Sequence, residues 1–211
     1  MKIKLTYSKI PSTLDCPLKQ CVAFEKYDGT NLHWTFHPGQ GFLEYGTRRD
    51  TFHLNKAGIL AFEQAHPELA GVDKLWDPQG KLEDLLQEQY SKFKNINVFT
   101  EYFGPKSFAG SHQPNDTMQL VIIDIEVDGN IISPEEFMEV FQDFNIARSV
   151  FQGKFSGQLF LDVRKGKYDV KEGVVVKGMV GDRVYMAKIK TEAYLQRLQS
   201  QFKDDWKNYW E

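Results

Sequence analysis

Lys26 lies in Glu25-Lys26-Tyr27-Asp28-Gly29-Thr30-Asn31, between an apolar run at Cys21–Glu25 and a second beginning Asn31-Leu32-His33-Trp34. That pattern predicts a strand–turn–strand unit with a lysine at its mouth, and Gly29 permits close approach of a ligand or another backbone. A lysine amine is a nucleophile only when unprotonated, so its ordinary pKa of about 10.4 must be lowered by burial or by neighbouring cations. Lys188 and Lys190 can serve as those cations: alternation along Arg183–Ile189 and onward puts both on one strand face, a spacing that aims two ammoniums at one phosphate. They would also neutralise charge building on that phosphate. Glu172, just ahead of the apolar run Val174–Val176, suits a hard cation shared with substrate phosphates. Arg48 and Arg49 offer planar donors for a phosphate. Each feature alone also has a plainer reading: a solvated hairpin lysine, an edge-strand lysine pair, a turn carboxylate.

The order of these residues along the chain separates the readings. After Lys26-Tyr-Asp-Gly-Thr-Asn31 come Tyr45-Gly-Thr-Arg48-Arg49-Asp50, Phe99-Thr-Glu101-Tyr102-Phe103-Gly104, Leu120-Val-Ile-Ile-Asp124-Ile, Lys171-Glu172-Gly173-Val-Val-Val-Lys177 and Tyr185-Met-Ala-Lys188-Ile-Lys190. The series resembles the ordered motifs of the covalent nucleotidyltransferase superfamily, which comprises ATP-dependent DNA ligases, RNA ligases and mRNA capping enzymes. The resemblance implies an α+β fold, an ATP-grasp-like adenylyltransferase domain of antiparallel sheets flanked by helices. It makes Lys26 the nucleophile that takes AMP from ATP, with Lys188 and Lys190 as catalytic partners and Glu172 as metal ligand. Glu25, Asn31, Arg48, Glu101, Phe103 and Lys177 are then nucleotide-binding. Within that set Glu101 takes the ribose hydroxyls, Phe103 or Ile123 walls the adenine, and Arg48, or Arg49 if the register shifts by one, takes a phosphate. ATP and Mg²⁺ or Mn²⁺ are the implied cofactors.

Asn31 in the lysine element is similar to the RNA ligase branch that includes RNA-editing and RNA-repair ligases, whereas Asp28 is shared with DNA ligases. The expectation is an ATP-dependent RNA ligase acting on RNA 5′-phosphate and 3′-OH ends. The alternatives are a DNA nick-sealing ligase or capping-type guanylyltransferase on the same fold, and a non-catalytic nucleotide- or RNA-binding module. Only 21 residues follow Lys190, so no OB-fold domain is expected. A helper protein is a candidate to orient the pyrophosphate leaving group in its place.

The elements that must position these groups read as mixed strands and helices in irregular order. Strands are predicted at Cys21–Glu25, Asn31–Phe36, Ile96–Thr100, Leu120–Val127, Leu159–Val163, Gly173–Lys177 and Arg183–Ile189. Helices are predicted at Lys81–Lys94, after the Ser133-Pro-Glu-Glu cap, and at Thr191–Trp206 with Thr191 as cap. Gly104–Asn115 and Gly153–Gly157 read as loops. A length of 211 residues suits a single nucleotidyltransferase domain over 1–211. Net charge is −3, from 26 Lys+Arg and 29 Asp+Glu, which excludes a general nucleic-acid-coating protein and leaves phosphate binding to local clusters. Arg164-Lys-Gly-Lys167 and Lys203 with Lys207 are further basic groups, better read as solvated surface. His33 and His37, four apart on a predicted strand, lack a third ligand and read as strand-surface histidines. The start has no apolar signal region, no stretch suits a membrane span, and two cysteines, Cys16 and Cys21, fit reduced thiols in a cytoplasmic protein.

Overall fold

A computed structural model describes residues 6–108, 111–112 and 115–208. The middle of the predicted loop Gly104–Asn115 and the side chain of Lys207 lie outside the described set. In chain order the elements are β1 (Gln20–Lys26), β2 (Thr30–His37), β3 (Gly41–Thr47), β4 (Phe52–His53), α1 (Lys56–Ala65), α2 (Lys81–Tyr90), β5 (Ile96–Phe103), β6 (Gln119–Val127), β7 (Asn130–Ile131), α3 (Pro134–Val140), β8 (Ser149–Lys154), α4 (Gly157–Arg164), β9 (Gly173–Val180), β10 (Arg183–Lys190) and α5 (Glu192–Phe202). They group into two units. One comprises Met1–Ser8, Gly29–Ile132 and Phe137–Ile146; the other comprises Lys9–Asp28, Ser133–Glu136 and Ala147–Glu211.

The first unit is built on a six-stranded antiparallel sheet in the order β4-β3-β2-β5-β6-β7. Trp34, fully buried on β2, stacks on Trp76 with centroids 4.2 Å apart and on Tyr45 at 5.1 Å. Its indole N–H donates to the Thr100 hydroxyl at 3.0 Å, so the ring is buried without leaving its polar edge unpaired. α1 begins where the Asn55 side chain accepts the Gly58 N–H, and it buries Phe62.

The second unit carries a four-stranded antiparallel sheet in the order β10-β9-β1-β8. One face, with Cys21, Ala23, Val174, Val176, Ala187 and Ile189, packs with Leu159 and Val163 of α4 into a core. Cys16 and Cys21 are both free thiols, and burial pushes the Cys21 thiol up to about 11.

The predicted strand at Leu159–Val163 is α4, and its packing explains why. A strand would put Leu159, Leu161 and Val163 on one face, whereas Leu159 and Val163 are buried and Leu161 is 47% exposed, the pattern of residues four apart on a helix. The Ser156 hydroxyl accepts the Leu159 N–H and fixes the start, and a five-residue apolar run cannot signal this. Gly153, read as loop, lies inside β8. α2 stops at Tyr90, leaving Phe93 44% exposed beyond its end. Among the described residues no helix is long and apolar enough to cross a membrane.

Candidate active site

In the second unit the register across β1, β9 and β10 gathers the lysines. Lys26 pairs with Gly173, which pairs with Lys190; Phe24 pairs with Val175, which pairs with Lys188; Val22 pairs with Lys177, which pairs with Met186. Directly opposed residues share a sheet face, so Lys26, Lys177, Lys188 and Lys190 lie on the same one, opposite the α4 core. Gly173 separates Lys26 from Lys190 without a side chain. A Cβ there would stand 2.0 Å from the Ile189 carbonyl oxygen, so only glycine fits this β9–β10 approach.

Glu172, immediately before β9, is almost fully buried. Its Oε2 lies 2.9 Å from the Lys26 Nζ and its Oε1 lies 3.4 Å from the Lys190 Nζ. One buried carboxylate therefore serves two cations. Burial, reinforced by the charge of Lys26, holds the Lys190 ammonium below its usual pKa, while Glu172 and Asp28 act against that shift. Lys177 is buried with its Nζ 4.8 Å from the Phe24 ring centroid, a cation–π contact. Glu25 alternates to the face opposite Lys26, where its side chain accepts the Arg148 Nε–H at 2.9 Å.

Two residues of this cluster carried no sequence signal beyond helix capping and core. Thr191 caps α5 by accepting the Tyr194 N–H, while its own N–H and hydroxyl donate to the Glu172 and Lys171 carbonyls at 2.8 and 3.3 Å. Tyr194 is buried, donates its hydroxyl to Asp28 Oδ1 at 3.0 Å, and holds its ring 5.0 Å from the Lys190 Nζ.

The first unit holds Asn31, Arg48, Glu101 and Phe103. Asn31 and Glu101 are opposed across β2 and β5. Glu101 Oε1 accepts the Gly29 N–H at 3.1 Å, and the Asn31 side-chain amide donates to the Thr100 carbonyl at 3.3 Å. The Asn31 Oδ1 is a buried acceptor without a hydrogen bond among the described residues. Gly29 is required by the backbone: an added Cβ would lie 2.3 Å from the Tyr102 carbonyl oxygen. Phe103 and Ile123 are half-buried near the end of β5 and on β6.

Arg48 is turned inward and Arg49 is exposed. The Arg48 guanidinium lies 5.7 Å from the Tyr7 ring centroid, and its buried Nε–H has no acceptor among the described residues. Burial, then Asp124, raise the Tyr7 pKa well above its ordinary value, and the Tyr7 hydroxyl donates to Asp124. Asp50 clamps the turn: Oδ1 accepts the Thr47 N–H and hydroxyl at 3.0 and 2.6 Å, and Oδ2 lies 2.6 Å from His66 Nε2. His33 is buried, not a surface histidine, with its two ring nitrogens at the Thr47 carbonyl and the Thr51 hydroxyl. It is held by the fold and does not pair with His37 for a metal. Of the other basic groups, Lys167 pairs with Asp162, and Arg164 reaches the Lys190 carbonyl.

Among the described residues no three His, Cys, Asp or Glu side chains form a self-sufficient metal site. Glu172 fits a hard cation that takes most of its ligands from water and substrate phosphates, as Mg²⁺ does.

Two antiparallel sheets with flanking helices, one sheet presenting a row of lysines around a buried glutamate, give the chain the fold of solved RNA ligases. A family model described as RNA ligase matches residues 19–190, and the chain belongs to that family. A Naegleria gruberi RNA ligase mutant solved with AMP and Mn is similar at TM-score 0.63 and 13% identity, covering 93% of this chain and 59% of that one. An archaeal ATP-dependent RNA ligase is similar at TM-score 0.61 and 16% identity, covering 94% of this chain and 52% of that one. Another Naegleria gruberi mutant, solved with ATP and Mn, gives TM-score 0.61 at 12% identity, with 93% and 59% covered. The chain thus spans between half and three-fifths of the length of these structures. No curated protein matches the sequence.

Proposed function

We propose that the two units act together as one adenylation domain of a cytoplasmic ATP-dependent RNA ligase. The observation that carries this reading is the Lys26–Glu172–Lys190 cluster: a lysine at a strand end, a second lysine in the same cross-strand row, and one buried carboxylate between their charges. The Lys26 ammonium leaves Glu172, gives up its proton to water and attacks the α-phosphorus of ATP as the free amine. A nitrogen–phosphorus bond forms and the bond to the pyrophosphate oxygen breaks, giving lysyl-AMP. Lys188 and Lys190 neutralise charge gathering on the α-phosphate oxygens. The AMP then passes to an RNA 5′-phosphate, and a 3′-OH displaces it to join the ends.

Glu172 would hold Mg²⁺ or Mn²⁺, which would supply charge neutralisation on the phosphates. Glu101 takes the ribose hydroxyls, Asn31 offers its unpaired oxygen to a nucleotide donor, and Phe103 walls the adenine. Arg48 offers its unpaired Nε–H, and Lys177 its ammonium, to phosphate oxygens. Glu25 contributes to nucleotide binding through the strand that carries Lys26. A helper protein is a candidate to assist these cations in orienting the pyrophosphate.

Incubation with radiolabelled ATP and Mg²⁺ should label the folded protein covalently, and Lys26→Ala should abolish the label. A folded wild type that stays unlabelled sinks the adenylation claim and leaves a binding module. Labelling from GTP in preference to ATP would favour a capping-type enzyme, and sealing of nicked DNA but not of RNA ends would favour a DNA ligase.

A further inference from the structure

We propose that Tyr194 is a positioning residue that fixes Asp28 and Lys190 around the Lys26 amine. The proposal rests on the adenylation reading above and adds to it a residue outside the ordered motifs. α5 begins one residue after β10 and is stapled back onto the segment before β9: the Thr191 N–H and hydroxyl donate to the carbonyls of Glu172 and Lys171. The same Thr191 hydroxyl accepts the Tyr194 N–H, so the first turn of α5 is locked to the backbone that carries Glu172.

From that fixed turn Tyr194 makes two contacts with the site. Its hydroxyl donates to Asp28 Oδ1 at 3.0 Å, two residues beyond Lys26. Its ring lies 5.0 Å from the Lys190 Nζ, with the Arg197 guanidinium also near the ring at 5.8 Å. A buried core position needs no hydroxyl, since a buried phenol must find a partner to avoid a desolvation cost. Burial, then the charges of Glu172 and Asp28, drive the Tyr194 pKa far above its ordinary value, so the hydroxyl stays a donor. Held by Tyr194, Asp28 keeps the position from which its charge, with that of Glu172, acts on the Lys190 ammonium. Lys190, backed by the ring, stays aimed along its own strand face. Misplacement of such groups by about 1 Å can lower a rate on the order of 100-fold, and loss of one restraint should do less.

The test is Tyr194→Phe, which keeps the ring and removes the hydroxyl. Single-turnover lysyl-AMP formation at saturating ATP should slow about 10-fold, while the ATP concentration giving half the maximal rate stays within about twofold of wild type. In an Asp28→Asn background the same substitution should add little, because the two residues act as one unit. Independently of any activity, amide hydrogen exchange of a peptide covering Lys26–Asp28 should accelerate in Tyr194→Phe, with the melting temperature close to wild type. Wild-type labelling rates in Tyr194→Phe, effects that multiply with Asp28→Asn, or unchanged exchange at Lys26–Asp28 would each overturn the proposal. If wild type itself forms no lysyl-AMP, the adenylation reading falls, and the exchange measurement alone decides whether Tyr194 restrains the turn.

Discussion

Lys26, Glu172 and Lys190, each with a plainer reading when taken alone, meet in one ion cluster, and their place in an ordered series of motifs is what singles them out in the sequence. Glu25, the sequence neighbour of Lys26, faces the other side of the strand and pairs with Arg148, an arrangement set by strand alternation. Asp50 was only a motif neighbour in the sequence, yet it ties the turn that carries Arg48. Burial alone would raise its pKa, but hydrogen bonds from Thr47 and His66 outweigh that and hold it below the ordinary 3.8. A lowered folded pKa contributes stability that is present above the unfolded value and is lost as pH falls through the folded one. Asp50→Asn should therefore lower the melting temperature by about 2–4 °C near neutral pH, the shift expected for about 1 kcal/mol in a chain of this size. The difference from wild type should hold down to about pH 5 and shrink below about pH 4. A difference that widens on acidification, followed by calorimetry across pH, would contradict the assignment.

At the scale of elements, the strands that carry motifs were legible and the helix beneath them was not. Residues 20–26, 173–180 and 183–190 form strands where apolar runs predicted them, because alternation and β-branched residues mark them locally. α4 escaped because Gly157-Gln-Leu-Phe-Leu-Asp-Val-Arg164 is short and apolar in both periodicities, and only its packing under the sheet selects the helix. β3 escaped because Gly41, Glu44 and Gly46 interrupt its apolar pattern. The α4 assignment makes a sharp contrast testable by denaturant unfolding. Leu159→Ala should cost about 2–4 kcal/mol through lost burial and a cavity. Leu161→Lys should change stability by no more than about 0.5 kcal/mol, since its side chain faces solvent. Equal costs at the two positions would mean the segment is not a helix with this face inward.

For the whole molecule, a net charge of −3 offers nucleic acid no general attraction. Under the proposed function, 5′-phosphorylated RNA held by the lysine row and Arg48 should make few phosphate contacts. The logarithm of its affinity should fall with the logarithm of salt concentration at a slope of about −2 to −3, as expected for roughly three or four single-strand contacts. A slope steeper than about −6 in a fluorescence titration would reveal an extended basic track. The family was written in the sequence, because the order and spacing of Lys26, Glu101, Glu172, Lys188 and Lys190 are properties of the chain itself. Strand type and the shared face of Lys188 and Lys190 were legible too, since both follow from period-two alternation. What only the tertiary structure decided is which distant residues stand opposite one another. Gly173 lies between Lys26 and Lys190, Lys177 shares their face, and Tyr194 reaches Asp28 across 166 positions of sequence. Register between strands so far apart is set by burying one whole sheet face at once, and no local pattern encodes that sum.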